Sequence, residues 1–203
     1  MALELEIKLR VGGPGDLQER LDRTAAQLRE IGAALVHPRE LEDNLAFDFP
    51  DRSVVQRGCL LRVRVVPRGA LLTWKGPVRP LAGGEAQGLK AREESEVMLP
   101  SSESRALLEI LKGLGMEPVF RYQKYRATWD WNGLHVMIDE TPIGLFLELE
   151  GKRTSIDEGA RALGYSTPDF ITSSYRDLYL QHVDQARQGS CTPLPVDRMV
   201  FDS

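Results

Sequence analysis

Charged residues recur at every second position in seven short stretches of this chain, and that regularity restricts its fold more than any other feature. The first eleven residues, MALELEIKLRV, set Glu4, Glu6, Lys8 and Arg10 against Leu3, Leu5, Ile7, Leu9 and Val11. Side chains along a strand alternate between its two faces, so such a segment is a strand with one charged and one apolar face. The pattern returns with Arg62 and Arg64 in LLRVRVV, Thr73 and Lys75 in LLTWKG, and Arg92, Glu94 and Glu96 in REESEVML. It continues with Lys124 and Arg126 in YQKYRATW, Asp139 in HVMIDE, and Glu148, Glu150 and Lys152 in FLELEGK. A strand candidate in NLAFDF, before Arg62, brings the count to eight.

A solvated sheet face usually mixes Thr, Ser, Lys and Glu. Here carboxylates gather on the first, fourth and last of the seven stretches, with Asp139 on the sixth, and arginines and lysines on the others. Same-face neighbours lie roughly 6.5–7 Å apart, and carboxylates that close repel unless a cation sits beside them. Hard divalent ions such as Mg²⁺ take oxygen donors, and arginine and lysine suit phosphate oxygens. The expected fold is therefore α+β: an eight-stranded antiparallel barrel forming a tunnel with a charged interior. Eight strands enclose room for side chains or one small ligand. Outward apolar faces need amphipathic cover, which helices over about 16–34, 102–114 and 171–188 would supply.

Other features bound the reading. With 203 residues, 42% hydrophobic and 28% charged, the chain can bury a sizeable core. No linker divides it, so one domain is expected over 1–185, with a tail of undecided order over 190–203. A net charge of −4 argues against a nucleic-acid or membrane-surface binder. No apolar leader or spanning run is evident, which makes the cytoplasm the default. An exposed apolar barrel edge would favour a homodimer. Cys59 and Cys191 form no metal-ligand pair. The loop from Pro77 to Gly88 has the composition of a mobile loop, and its place between two charged strands makes it a candidate lid; Arg68-Gly69 and Trp131-Asn132-Gly133 read as hairpin turns.

The ordered set resembles the CYTH family, the triphosphate tunnel metalloenzymes. E-x-E-x-K at Glu4, Glu6 and Lys8 is followed by L-R-x-R at Arg62 and Arg64 and T-W-K-G at Lys75. Then come R-E-E-x-E at Arg92 to Glu96, K-x-R at Lys124 and Arg126, Asp139, and G-x-F-x-E-x-E-G at Glu148 and Glu150. The resemblance spans about residues 1–185. It implies an eight-stranded tunnel acting on a triphosphate with Mg²⁺ or Mn²⁺, with tripolyphosphatase, thiamine triphosphatase and class IV adenylate cyclase among the family's activities. By the same resemblance Glu4, Glu6, Glu148 and Glu150 hold metal, helped by Glu94, Glu96 and Asp139. Lys8, Arg62, Arg64, Lys75, Lys124 and Arg126 grip the phosphates. Arg10, Arg92 and Lys152 have the parity but weaker claims.

Hydrolysis of the terminal phosphate by in-line attack of water needs only that grip, with Glu6 and Lys8 nearest the chemistry. If Lys8 is a base, its pKa must be depressed. A cyclase making cyclic AMP and pyrophosphate from ATP would also need a base-and-ribose pocket, for which Phe146, Tyr122 and His135 have the right parity. A non-catalytic polyphosphate- or nucleotide-binding module would need the cations but not the glutamates. The partner in each case is a triphosphate-containing small molecule.

Overall fold

The computed structural model describes residues 2–79, 89–189 and 194–201, with the side chains of residues 2–4 and 188–189 outside that description. Eight antiparallel strands close into a barrel: β1 (Ala2–Arg10), β2 (Ala34–Asp48), β3 (Leu60–Val66), β4 (Gly69–Lys75), β5 (Lys90–Leu99), β6 (Glu117–Trp131), β7 (Leu134–Thr141) and β8 (Gly144–Glu150). Around the wall the order is β2-β3-β4-β5-β1-β8-β7-β6, and pairing of β6 back onto β2 removes the edges. A short ninth strand, β9 (Arg198–Met199), runs parallel to β6 outside the closed set.

The expected polarity holds. Ile7, Leu9, Leu147 and Leu149 face outward into the largest apolar cluster. Their strand neighbours Glu6, Lys8 and Glu148 are also buried, but line an internal cavity. The outer face is covered by helices α1 (Leu17–Glu30) and α4 (Arg153–Ala162), whose Leu28, Ile156 and Ala160 join that cluster. Gly159 lets α4 approach closely, since a Cβ there would run into Leu134 Cδ2. Across the barrel, Leu111 of α3 (Ser104–Gly113) packs with Val63 and Ala70. A short helix, α2 (Ser53–Gln56), links β2 to β3.

Several boundaries move. Helix α1 is capped by Asp16, which accepts from the Glu19 N–H while Glu19 accepts from the Asp16 N–H. It ends at Glu30 rather than 34, because Gly32 takes φ +84° and turns the chain into β2. Strand β2 starts ten residues before the NLAFDF segment; Pro38 and two bulges, at Leu35/His37 and His37/Glu40, hide its first half from an alternation test. Asn132 and Gly133 both take positive φ in the β6–β7 turn, as a tight hairpin requires. The first hairpin turns on Pro67-Arg68, with Gly69 already in β4.

Helix α5 (Tyr175–Gly189) departs most from expectation. It packs over one end of the barrel, where Tyr175, Leu178 and Tyr179 meet the inward-facing Phe120, Tyr122 and Phe146. A backbone bridge between Lys8 and Ile171 leads the chain to that end. Beyond α5, residues 194–201 pack as an arm: Tyr179 donates to the Pro195 carbonyl (2.8 Å), and the Arg121 N–H donates to that of Asp197 (3.0 Å). Residues 80–88 and 190–193, including most of the expected lid, lie outside the described residues. No helix among the described residues is long and apolar enough to cross a membrane.

Candidate active site

The alternation becomes a chamber because inward positions of β1, β3, β4, β5, β6 and β8 converge on a cavity of about 160 Å³. Its described lining includes eight basic side chains (Lys8, Arg62, Arg64, Lys75, Lys90, Arg92, Lys124 and Arg126) against five glutamates, Glu6, Glu94, Glu96, Glu148 and Glu150. All six residues expected to grip phosphate are there. So are every expected metal ligand except Asp139 and Glu4, whose side chain is outside the description.

The charges are sorted around the wall. Glu6 and Glu148 are carried by the adjacent strands β1 and β8, where Lys8 pairs with Glu148 in register. Lys8 Nζ lies 3.6 Å from Glu6 and 3.3 Å from Glu148, while Lys90 donates to Glu6 at 2.9 Å. Burial opposes ionisation of Glu6, but Lys8, Lys90 and Lys75 outweigh it and hold the carboxyl well below the usual range. Burial likewise disfavours the charge on Lys8, yet Glu6 and Glu148 raise its pKa above the ordinary lysine value. Lys8 is therefore a fixed cation here, and the depressed pKa that a base would need is not present.

Glu150 has the opposite balance. Burial, then the like charges of Glu148 and Glu6, raise its pKa, and it forms no ion pair among the described residues. Lys75 pairs with Glu94. Glu96 is at the cavity margin, 40% exposed, accepting from Thr73 Oγ1 at 2.7 Å.

On the opposite side, Arg62 donates to the Tyr122 hydroxyl (3.2 Å) and to Thr73 Oγ1 (3.1 Å), leaving its buried Nε without an acceptor. Arg64 donates to Asn44 Oδ1 at 3.1 Å and pairs with Glu42 at 3.0 Å. Burial raises the Glu42 pKa, but Lys124, Arg64 and Arg126 bring it down to about 2. Tyr122 follows the same logic: burial opposes ionisation, and Arg62, Lys124 and Arg64 lower its pKa overall.

Asp139 differs from the role expected of it. It is fully buried, and its two oxygens accept from Arg126 (2.6 Å each), Lys124 (3.0 Å) and the Tyr175 hydroxyl (2.6 Å). With those donors in place it braces the cations from behind and offers no free oxygen to the cavity. Arg126 completes the brace by donating to Glu148 at 2.8 Å.

The weaker candidates separate as well. Arg92 lines the cavity, but its guanidinium donates to the carbonyls of Gly76 and Gly58, both at 2.7 Å. Arg10 is exposed and lies over the Phe146 ring, and Lys152 precedes α4 away from the cavity. Phe146, Tyr122 and His135 do not form one pocket. Phe146 packs edge-on to Tyr175, whereas His135 is exposed beside a second cavity of about 180 Å³ that shares Arg64, Arg126 and Glu150 with the first.

Sequence reasoning missed Lys90, Glu42 and Asn44, although Asn44 opens the NLAFDF segment and Glu42 and Lys90 each continue the parity of a recognised strand by one step. Tyr175 opens α5, where no strand parity could reveal it. The donor set facing the cavity is all oxygen and fits a hard divalent cation, and the crowding that raises the Glu150 pKa is what such a cation would relieve. As the side chains stand, no three carboxylates among the described residues converge on one point, because Glu6 and Glu148 are turned to lysine and arginine.

Comparison with known proteins follows the same lines. The model of the CYTH domain matches residues 2–188. A candidate adenylate cyclase from Vibrio parahaemolyticus is similar in structure, with a TM-score of 0.69 at 19% identity, covering 88% of this chain and 98% of that one. A protein from Pyrococcus furiosus gives 0.64 at 21%, covering 85% and 97%. A candidate adenylyl cyclase from Hippeastrum, in which triphosphatase activity is dominant, gives 0.61 at 18%, covering 96% and 99%. No curated protein matches this chain.

Proposed function

Because the chain belongs to the CYTH family, whose members are in general metal-dependent enzymes, we propose that it hydrolyses a triphosphate with Mg²⁺ or Mn²⁺ in the barrel cavity. The observation that carries this reading is the cationic wall of Arg62, Arg64, Lys124 and Arg126 lining the cavity. Cations gathered on one wall repel one another, and phosphate oxygens relieve that repulsion while accepting their hydrogen bonds.

Glu6, Glu148 and Glu150, with Glu4, are the residues that would hold the divalent ion. When bound, that ion supplies charge neutralisation on the phosphate oxygens and a more acidic water. The chain's own contribution is positioning and electrostatics, which dominate phosphoryl transfer. Arg62, Arg64, Lys124 and Arg126 bind the phosphate chain along one wall. Lys8, kept protonated between Glu6 and Glu148, puts a fixed positive charge beside the terminal phosphate. Asp139 orients Lys124 and Arg126 and is itself held by Tyr175.

The test is a panel. Purified protein is incubated with tripolyphosphate, thiamine triphosphate or ATP plus Mg²⁺ or Mn²⁺, and orthophosphate, pyrophosphate and cyclic AMP are measured separately. Metal-dependent orthophosphate release is the expected outcome. Pyrophosphate accompanied by cyclic AMP would replace hydrolysis by cyclisation, and no product from any triphosphate would remove the enzyme reading.

A further inference from the structure

Three hydroxyl groups line the charged cavity among the described residues, on Tyr122, Ser174 and Tyr175. Two of them have committed protons: Ser174 donates to Asp177 and Tyr175 to Asp139, both at 2.6 Å. Tyr122 is different. Its hydroxyl accepts from Arg62 at 3.2 Å and has no acceptor of its own among the described residues. Its ring is packed into the apolar cluster beneath α5, with Phe120, Phe146 and Tyr179, which fixes the side chain. It lines the cavity in the same inward row as Lys124 and Arg126. Neither the grip on the phosphates nor the brace at Asp139 uses this phenol.

We infer that Tyr122 is the proton donor to the leaving group: its hydroxyl hydrogen-bonds the oxygen that links the terminal phosphate to the rest of the chain and protonates it as that link breaks. The inference rests on the hydrolase reading above and adds a catalytic residue to it. Arg62 touches the hydroxyl and Lys124 is its neighbour in the row, so a phosphate chain bound to them brings an acceptor to it. Water forms the new bond to the terminal phosphorus. The bond from that phosphorus to the linking oxygen breaks, the electron pair stays on the oxygen, and the Tyr122 proton follows. The attacking water gives up one proton, which restores the phenol through solvent. Orthophosphate and the shortened chain are the products, and no other reactant is needed. Charge suits the phenol to this task. Burial opposes its ionisation, but Arg62, Lys124 and Arg64 outweigh it and lower its pKa, whereas burial, Asp139 and Glu148 raise that of Tyr175. The same cations stabilise the phenolate left behind. Carboxylates near them are occupied: Glu42 pairs with Arg64 and Lys124, and Glu96 with Arg62. On α5, the groups packed with the ring are the phenols of Tyr175 and Tyr179, both with raised pKa values.

The experiment compares wild type with Tyr122→Phe, which keeps the ring in its cluster and removes only the hydroxyl. For the preferred triphosphate and metal, kcat should fall about a hundredfold, the lower end of the range for acid catalysis, while KM changes less than about threefold. A donor must be protonated, so wild-type kcat/KM should decline as pH rises through a value below the ordinary tyrosine pKa of 10. In Tyr122→Phe that decline should move to higher pH, which a merely structural role would not cause. Unchanged kcat, a loss confined to KM, or a decline at the same pH in both proteins overturns the inference. Wild type made with fluorotyrosine keeps the test open if the variant does not fold: its more acidic phenols should carry the decline to lower pH, and an unmoved decline overturns the inference. If wild type releases no orthophosphate from any triphosphate, the hydrolase reading fails instead. The contact is then judged by ultraviolet titration of the phenolate signal that Tyr122→Phe lacks. Bound tripolyphosphate should shift that signal to higher pH, because an accepting phosphate oxygen holds the proton on the hydroxyl, and an unmoved signal refutes the contact.

Discussion

Ile7 and Lys8 are neighbours on β1, both nearly inaccessible to solvent, and the barrel wall places them in opposite environments. Ile7 is packed among Leu9, Leu147, Leu149 and the helices outside. Lys8 is surrounded by Glu6, Glu148 and the ring of Tyr175 inside. Burying Ile7 is favourable by the area it removes from water. Burying Lys8 costs desolvation that its ion pairs only offset, and such pairs seldom add net stability. The outer face of the wall therefore holds the protein together, while the inner face keeps costly charges in place for a ligand. Burial alone does not distinguish the two; the chemistry of the neighbours does.

The sharpest way to break this comparison is to exchange the expected consequences of the two residues. Lys8→Ala should lower kcat/KM for the preferred triphosphate by roughly a thousandfold, of the order seen when a transition-state charge contact is removed. Melting temperature should change little, because Glu6 keeps Lys90 and Glu148 keeps Arg126. Ile7→Ala should do the reverse, losing about 2–5 kcal/mol of stability in chemical denaturation while the folded fraction keeps kcat/KM within a few-fold. If Lys8→Ala unfolds the protein and Ile7→Ala silences it, the division of labour is wrong.

A smaller effect is expected at Glu42, the buried counter-charge of Arg64 and Lys124. Glu42→Gln should cost about 3 kcal/mol near neutral pH by leaving those cations short of a partner. The sign of its pH dependence follows from its lowered pKa. The contribution is complete above the ordinary value of 4.5 and disappears as pH falls towards about 2. The stability gap between wild type and Glu42→Gln should therefore close across that window, and a gap unchanged at its acid end would contradict the assignment. The smallest effect belongs to a pair on the outer surface: breaking the exposed Arg105–Glu109 contact with Arg105→Ala should change stability by about 0.5 kcal/mol or less in denaturant titration.

Much of the inner face was legible in sequence because alternation in a closed sheet admits one assignment of parity. Glu6, Lys8, Arg62, Arg64, Lys75, Lys124, Arg126, Glu148 and Glu150 all fall where their spacing puts them. What escaped were residues whose position depends on irregularity or on tertiary contact. Glu42 belongs to a strand masked by Pro38 and two bulges. Lys90 precedes the point at which the charge pattern of β5 becomes obvious. Asp139 has the parity of a ligand, but only its contacts reveal that Arg126, Lys124 and Tyr175 occupy its oxygens. Helix α5 has an ordinary amphipathic pattern, and no periodicity says that it covers an end of the barrel rather than its side.

The central claim is that the inner cations are assembled for a triphosphate. Calorimetric titration of tripolyphosphate, without added divalent ion, into wild type and Arg62→Gln tests it most directly, because Arg62 lines the cavity and hydrogen-bonds to the neutral hydroxyls of Tyr122 and Thr73. The account predicts saturable one-to-one binding to wild type and an affinity at least about tenfold weaker in the variant. Absence of binding, or equal affinity for both proteins, would contradict it.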